Sequence, residues 1–152
     1  MENKVTTGDK APDFEGFTSD GGKLGLNDFL GKKNVVLYFY PRDDTPGCTK
    51  EACSFRDNLG SVRNLGAEII GVSLDSVESH KKFATKYSLP FPLISDKEKR
   101  IATAYGVLKE NGGSASRVTF IIDKSGKVAK VFPKVDVTKH SEEVLEALKA
   151  LN

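Results

Sequence analysis

The sequence has 152 residues, 23 of them basic and 21 acidic, a length that suits one compact domain, residues 1–152, with a hydrophobic core of its own. Charges this balanced, with the basic residues scattered singly or in pairs, argue against a nucleic-acid or polybasic membrane surface. No apolar run approaches the ~20 residues that span a bilayer, and residues 1–4 lead into polar sequence instead of a signal-peptide core, so we expect a cytoplasmic protein.

The first thirty residues predict a β-hairpin and one helical turn. Strand-like segments at 14–18 and 23–26 flank the polar turn 19–22, a pattern typical of a hairpin. Asn27 is expected to cap a short helical turn, which Gly31 would end.

An apolar run within residues 34–40 predicts a strand that is buried on both faces. After a polar break, Thr45 and Pro46 suit the N-cap and the first position of a helix, which we expect to continue to about residue 64. Cys48 then lies in the first helical turn. Free backbone N–H groups and the helix dipole there stabilise a thiolate relative to the thiol.

The middle of the chain predicts alternating strands and helices. Residues 67–74 form a second apolar strand, and Ser76 is expected to cap a helix that runs to Tyr87 and presents an apolar core face. The proline-rich segment 89–96 predicts an edge piece or a loop, because proline lacks the N–H that a central strand needs. A short helix is expected at 97–105.

The C-terminal third predicts a second hairpin and a last helix. Segments 117–123 and 127–133 suit the two strands, and Thr138 is expected to cap the helix. Strands that alternate with helices, followed by a hairpin, predict an α/β fold with a central, mostly parallel mixed sheet flanked by helices. The apolar stripe of the last helix consists of Val144, Leu145, Leu148 and Leu151.

The chain has only two cysteines, Cys48 and Cys53, and four interpretations of them are open. A cysteine here could be a nucleophile, half of a metal site, half of a structural disulfide, or a small buried apolar side chain. Zinc would need paired ligands at ligand spacing, so we expect neither a metal nor another cofactor. A hydrolase would need a histidine beside its nucleophile, and neither His80 nor His140 is near Cys48 in sequence.

The spacing of the two cysteines limits what they can do together. Five helical residues separate the Cα atoms of Cys48 and Cys53 by about 8–9 Å. A disulfide needs about 4.4–6.8 Å between Cα atoms. The two sulfurs therefore cannot bond while the helix is intact. This spacing suits a disulfide that forms and breaks during a reaction, and it does not suit a permanent structural disulfide.

Several segments resemble a known family. The run Pro41-x-x-x-Thr45-x-x-Cys48-x-x-Glu51, with Cys53 on the same helix, resembles the active-site signature of peroxiredoxins, in the bacterioferritin comigratory protein (PrxQ) subfamily. The family fold is thioredoxin-like, in agreement with the predicted layout. The resemblance covers nearly the whole chain and includes residues 8–14, 71–75, 91–96 and 117–123.

The resemblance implies a thiol-dependent peroxidase that acts on hydrogen peroxide and organic hydroperoxides. Cys48 would be the peroxidatic cysteine, which becomes a sulfenic acid. Cys53 would be the resolving cysteine, which condenses with it to an intramolecular disulfide, the reversible branch of cysteine oxidation. A thioredoxin-type reductant would then restore both thiols.

The same resemblance implies roles for residues around Cys48. Thr45 and the backbone N–H groups of Gly47 and Cys48 would bind the peroxide oxygens. Arg117 would stabilise the thiolate and the developing charge, and Pro41 would shield the pocket. From the residues alone, Thr45 would be needed only as a helix cap, and Arg117 would be a solvated strand end.

Some alternatives stay open. Glu51 is either a solvated helix residue or a group that orients a pocket arginine. The C-terminal segment has no cysteine for an intersubunit disulfide, so we expect a monomer, with a weak noncovalent dimer as the alternative. A thioredoxin-like disulfide oxidoreductase is the competing enzyme, although its chemistry uses C-x-x-C. A non-enzymatic redox sensor is a third interpretation.

Overall fold

The computed structural model describes residues 5–151, so the expectation about the first four residues lies outside it. The described chain forms seven strands and four α-helices, with a 3-10 helix at Leu26–Asp28. The strands are β1 (Glu15–Thr18), β2 (Lys23–Gly25), β3 (Asn34–Phe39), β4 (Ala67–Ser73), β5 (Leu93–Ser95), β6 (Val118–Ile122) and β7 (Val128–Phe132). The helices are α1 (Pro46–Asn64), α2 (Val77–Tyr87), α3 (Arg100–Ala104) and α4 (His140–Lys149).

The strands form one mixed sheet in the order β2-β1-β5-β4-β3-β6-β7. Both predicted hairpins are confirmed, because β1 pairs with β2 and β6 with β7 in antiparallel fashion. The parallel part is smaller than predicted. Strand β4 pairs in parallel with β3 and with β5. Strand β1 pairs antiparallel with β5, and β6 pairs antiparallel with β3.

The prediction of an edge piece or loop at 89–96 was wrong. Strand β5 lies inside the sheet, between β1 and β4. Both prolines of the segment, Pro90 and Pro92, precede the three residues that pair, so no ladder N–H is lost. The carbonyl of Pro92 even accepts a hydrogen bond from the N–H of Gly71.

Strand β3 is buried along its whole length, as predicted. Successive side chains of a strand point to opposite faces, and the two faces of β3 belong to two separate hydrophobic clusters. Val35, Leu37 and Phe39 pack toward α3 and the N-terminal hairpin. Val36, Tyr38 and Tyr40 pack against α1 and α4.

Two predicted helix caps were wrong. The turn near Asn27 begins at Leu26, because the Asp28 carboxylate accepts the N–H of Gly25 and so sets the start earlier. Helix α4 begins at His140, not after Thr138, whose hydroxyl donates to the Asp136 carboxylate instead.

Two further details of the helices differ from the prediction. Helix α3 begins at Arg100 rather than near residue 97, because the Asp96 carboxylate accepts the N–H groups of Ile101 and Ala102 and so caps the helix there. Leu151 lies beyond α4 and is 39% exposed, so it is not part of the core stripe.

Within residues 5–151, no helix has the length and apolar character needed to cross a membrane. The cytoplasmic location stays a prediction. Since both hydrophobic clusters share one sheet, we propose that the chain forms a single domain.

Candidate active site

The N-terminus of α1 follows β3 after a six-residue loop, and the helix begins at Pro46 as predicted. Thr45 is the N-cap with extended backbone, and Pro46 is the first helical residue. The Thr45 side chain, however, does not cap the helix. Its hydroxyl donates to the carbonyl oxygen of Arg42, 3.0 Å away, so the reading of Thr45 as a side-chain cap was wrong. Thr45 is half-buried, and its hydroxyl oxygen accepts no hydrogen bond from a helix N–H group.

Cys48 lies in the first turn of α1, and only 1% of its surface is exposed. The guanidinium group of Arg117 approaches it from the start of β6, where Nη2 donates to the Cys48 Sγ over 3.3 Å. This cation stabilises a thiolate relative to a neutral thiol, in addition to the free N–H groups of the first helical turn. Arg117 is therefore not the solvated strand end that the residue pattern alone indicates.

Glu51 holds the other side of the same guanidinium group. Its Oε1 accepts from Arg117 Nη1 over 2.7 Å, and the residue is 1% exposed, so the alternative of a solvated helix residue was wrong. Burial raises the pKa of Glu51 to about 7, although the charge of Arg117 opposes the rise. Burial lowers the pKa of Arg117, but Glu51 and Cys48 raise it by more.

Gly47 lies against the arginine. A Cβ atom added at this position would come within 3.1 Å of Arg117 Nη2, closer than nearly all ordinary contacts of a Cβ atom. The absence of a side chain at Gly47 thus lets the guanidinium group reach the helix terminus. Pro41 is half-buried in the loop between β3 and α1.

A buried polar cluster holds the loop in place. His80 of α2 is fully buried, and its Nδ1 lies 2.7 Å from the Asp43 carboxylate while its Nε2 donates to the carbonyl of Ile94. Asp43 also accepts from the hydroxyls of Tyr40 and Ser79. Sequence reasoning missed this cluster, because a single histidine on the apolar face of a helix predicts only a core side chain.

Asp43, Asp75 and His80 are the one group in the described part of the chain whose ligand atoms are close enough to hold a metal ion. Their polar atoms already bond to one another and to the fold. An Asp75 oxygen accepts from the N–H of Asp43 and the hydroxyl of Ser73, and both ring nitrogens of His80 have partners. We interpret the group as support for the loop.

Cys53 lies on α1 with Cys48, and both are free thiols. Cys48 is buried, while Cys53 is partly exposed. The helix is continuous across both positions, so the spacing of about 8–9 Å expected for their Cα atoms applies here. Just beyond Cys53, the Ser54 hydroxyl lies 2.6 Å from that of Ser141, and Asn58 donates to both Ser141 and the Ser54 carbonyl. The two bonds to Ser141 attach this part of α1 to α4.

Known proteins resemble the chain over most of its length. The model of the AhpC/TSA family matches residues 7–131. The chain is 47% identical over 154 residues to peroxiredoxin Bcp of Bacillus subtilis, with 97% of this chain and 98% of the relative covered. It is 45% identical over 150 residues to a putative peroxiredoxin bcp of Coxiella burnetii, with 95% and 99% covered.

A solved structure shares the fold. The bacterioferritin comigratory protein of Xanthomonas campestris, described in terms of its alkyl peroxide reduction activity, superposes with a TM-score of 0.85. The two sequences are 38% identical, and the superposition covers 91% of each chain.

Proposed function

The chain belongs to the AhpC/TSA family and is a peroxidase, and on that premise we propose how its two cysteines carry out the reaction. Cys48 is the peroxidatic residue. Its thiolate attacks one peroxide oxygen, the S–O bond forms as the O–O bond breaks, and the departing alkoxide or hydroxide takes up a proton. The peroxide is reduced, and Cys48 becomes a sulfenic acid.

One observation carries this assignment: the Arg117 guanidinium group bridges the buried sulfur of Cys48 and the buried carboxylate of Glu51. A cation and a helix terminus beside a cysteine sulfur stabilise the thiolate, which is the nucleophilic form of the side chain. The same cation stabilises charge that develops on the peroxide oxygens. The N–H groups of Gly47 and Cys48 donate hydrogen bonds to the peroxide oxygens. The Thr45 hydroxyl, whose proton goes to the Arg42 carbonyl, accepts a hydrogen bond from the O–H group of the hydroperoxide.

The second step uses Cys53. Its thiolate attacks the sulfenic sulfur of Cys48, the S–S bond forms, the S–O bond breaks and water leaves. Because α1 keeps the two residues too far apart, at least its first one or two turns must unwind. Ser54 and Asn58 form hydrogen bonds with the Ser141 hydroxyl of α4. These bonds support an unwinding that ends near Cys53.

A thioredoxin-type dithiol reduces the Cys48–Cys53 disulfide by thiol–disulfide exchange and is itself oxidised. The substrates are hydrogen peroxide and organic hydroperoxides. The alkyl peroxide reduction activity ascribed to the Xanthomonas relative supports the organic ones. The protein acts as a monomer, since neither cysteine lies in the C-terminal segment where it could bridge two chains.

Two variants test the assignment. Cys48→Ser abolishes peroxide reduction, whereas Cys53→Ser consumes about one equivalent and then stalls or is overoxidised. Full turnover by Cys48→Ser refutes the assignment. Rapid reduction of insulin disulfides by the wild-type protein, with no peroxide consumption, would instead identify a disulfide oxidoreductase.

A further inference from the structure

Two buried polar atoms beside the candidate active site have no hydrogen-bond partner among the described residues. They are the hydroxyl oxygen of Tyr38 and the Oε2 atom of Glu51. An unsatisfied buried polar group costs about 1–3 kcal/mol, so two of them close together require an explanation. The third such atom in this part of the chain, Nδ1 of His140, lies 3.6 Å from the carboxylate of Glu143.

Tyr38 packs beneath α1. It projects from β3 on the same face as Val36 and Tyr40, and it shares a hydrophobic cluster with Cys48 and Ala52. Its ring lies 4.8 Å from that of Phe55, one of the buried residues of α1. The Tyr38 hydroxyl is therefore enclosed beneath the helix face that carries Cys48 and Glu51.

The charges of the same two groups act on the Tyr38 hydroxyl. Burial raises the pKa of Tyr38, and among charged neighbours Glu51 contributes most, ahead of Cys48. Cys48 already has a donor in Arg117, whereas Oε2 of Glu51 has none. Of the two nearby acceptors, the Glu51 oxygen is the one in need of a proton donor.

The two unpartnered atoms are complementary. A phenol hydroxyl donates and a carboxylate oxygen accepts, yet they are not close enough to bond directly. Buried waters typically make about three hydrogen bonds to such otherwise unsatisfied groups. A single water that accepts from Tyr38 and donates to Glu51 satisfies both.

We propose that one buried water links the Tyr38 hydroxyl to Oε2 of Glu51, and that Tyr38 is thereby a positioning residue for Arg117 and Cys48. A hydrogen bond to Oε2 fixes the Glu51 carboxylate in place. Its Oε1 atom then stays bonded to Arg117 Nη1, and Arg117 Nη2 stays bonded to the Cys48 sulfur. The link to catalysis rests on the proposed function of Cys48. The link between Tyr38 and Glu51 does not.

The ionisable groups around Glu51 come from three elements, and Arg117 is the one whose charge acts on the pKa of Glu51. Tyr38 faces it from β3, Cys48 from α1 itself, and Arg117 from the start of β6. On α4, burial lowers the pKa of His140, although the neighbouring Glu143 opposes the fall. A hydrogen bond donated to the carboxylate stabilises the charged form, and its loss raises the pKa of Glu51.

The test compares Tyr38→Phe with Tyr40→Phe, which removes a hydroxyl that is bonded to Asp43 on the same strand face. The pKa of Glu51 is measured by carbon NMR of the labelled carboxyl group in the reduced full-length protein. Tyr38→Phe is expected to raise it by about one unit, the size of one lost hydrogen bond to a charged group. Tyr40→Phe is expected to leave it unchanged.

A Glu51 titration that Tyr38→Phe does not move overturns the proposal. So does a high-resolution crystal structure of the reduced protein in which the Tyr38 hydroxyl donates directly to the Cys48 sulfur. The pH profile of the single-turnover peroxide reaction is expected to shift upward together with the Glu51 titration, which a merely structural tyrosine would not cause. The NMR readout needs no peroxide, so failure of the proposed function is distinguished from failure of this link.

Discussion

Nη2 of Arg117 lies 3.3 Å from Sγ of Cys48, although 69 residues separate the two in the chain. The first turn of α1 presents the sulfur, and the antiparallel pairing of β6 with β3 brings the arginine to the same end of the sheet. This contact makes the buried cysteine a candidate nucleophile, because it supplies a fixed positive charge where water has little access.

Arg117→Ala is expected to lower the rate constant of Cys48 oxidation by hydrogen peroxide about 10²–10³-fold, the usual cost of one lost donor to developing charge. Arg117→Lys is expected to recover only part of this rate, because an ammonium group cannot donate to Cys48 and Glu51 in the same fork. Stopped-flow measurement of the oxidation rate checks both expectations. The control is Arg42→Ala, which removes an exposed arginine of the loop before α1. Equal rates for Arg117→Ala and Arg42→Ala would contradict the role.

Gly47→Ala is expected to slow the oxidation of Cys48 several-fold. The new Cβ atom would lie 3.1 Å from Arg117 Nη2, so it would displace the guanidinium group. Gly60→Ala on the same helix is the matched control. It has open space around it, so it should leave the oxidation rate unchanged and stabilise α1 by about 0.5–1 kcal/mol. Stopped-flow kinetics and urea denaturation of both variants provide the comparison, and an unaltered rate in Gly47→Ala would count against the close approach.

Glu51 should make stability fall as pH rises. Its pKa is raised from 4.5 to about 7 in the folded protein, so the folded state keeps a proton that the unfolded chain releases within this window. The resulting stabilisation is complete below about pH 4.5 and is lost as the pH passes about 7, with a slope of at most ~1.4 kcal/mol per pH unit for one proton.

Glu51→Gln removes this proton and keeps an acceptor for Arg117. Urea denaturation between pH 4.5 and 8 should therefore show a flatter curve for Glu51→Gln than for the wild type, with the exposed Glu78→Gln on α2 as control. Parallel curves for Glu51→Gln and the wild type would mean that Glu51 titrates as an ordinary surface carboxyl.

Asp43→Ala should destabilise the protein by about 1–3 kcal/mol, because it leaves the buried Nδ1 atom of His80 without its hydrogen-bond partner. It should also lower the peroxidase rate, since Asp43 lies in the loop that carries Pro41 and Thr45. The neighbouring Asp44→Ala is the control: Asp44 bonds to Lys86 and Tyr87 at an exposed site, and its loss should change thermal unfolding little. Similar losses in the two variants would show that the buried cluster does not support the loop.

The local elements of the fold could be predicted because their signals are short-range. The apolar run of β3 and the Thr45-Pro46 helix start depend on adjacent residues, and both are confirmed. The misplaced elements depend on competing polar contacts. Thr138 pairs with Asp136 instead of capping α4, and the prolines before β5 do not remove any of its ladder bonds.

The candidate site could be predicted only in part. Position in the first helical turn indicates a reactive Cys48, but the residue pattern alone does not bring Arg117 to it, and that expectation came from the family resemblance. The burial of Glu51, the support of the loop by His80 and the enclosed hydroxyl of Tyr38 depend on packing between distant segments. Composition and spacing within one segment carry no signal for such contacts.

The most direct test of the mechanism is to mix the reduced protein with one equivalent of hydrogen peroxide in a stopped-flow instrument and to map the cysteines by mass spectrometry. Sulfenic acid is expected at Cys48 first, followed by an intramolecular Cys48–Cys53 disulfide with loss of helical signal from the start of α1. Peroxide consumption that leaves Cys48 unmodified, or a disulfide formed while α1 remains helical across both cysteines, would contradict the account.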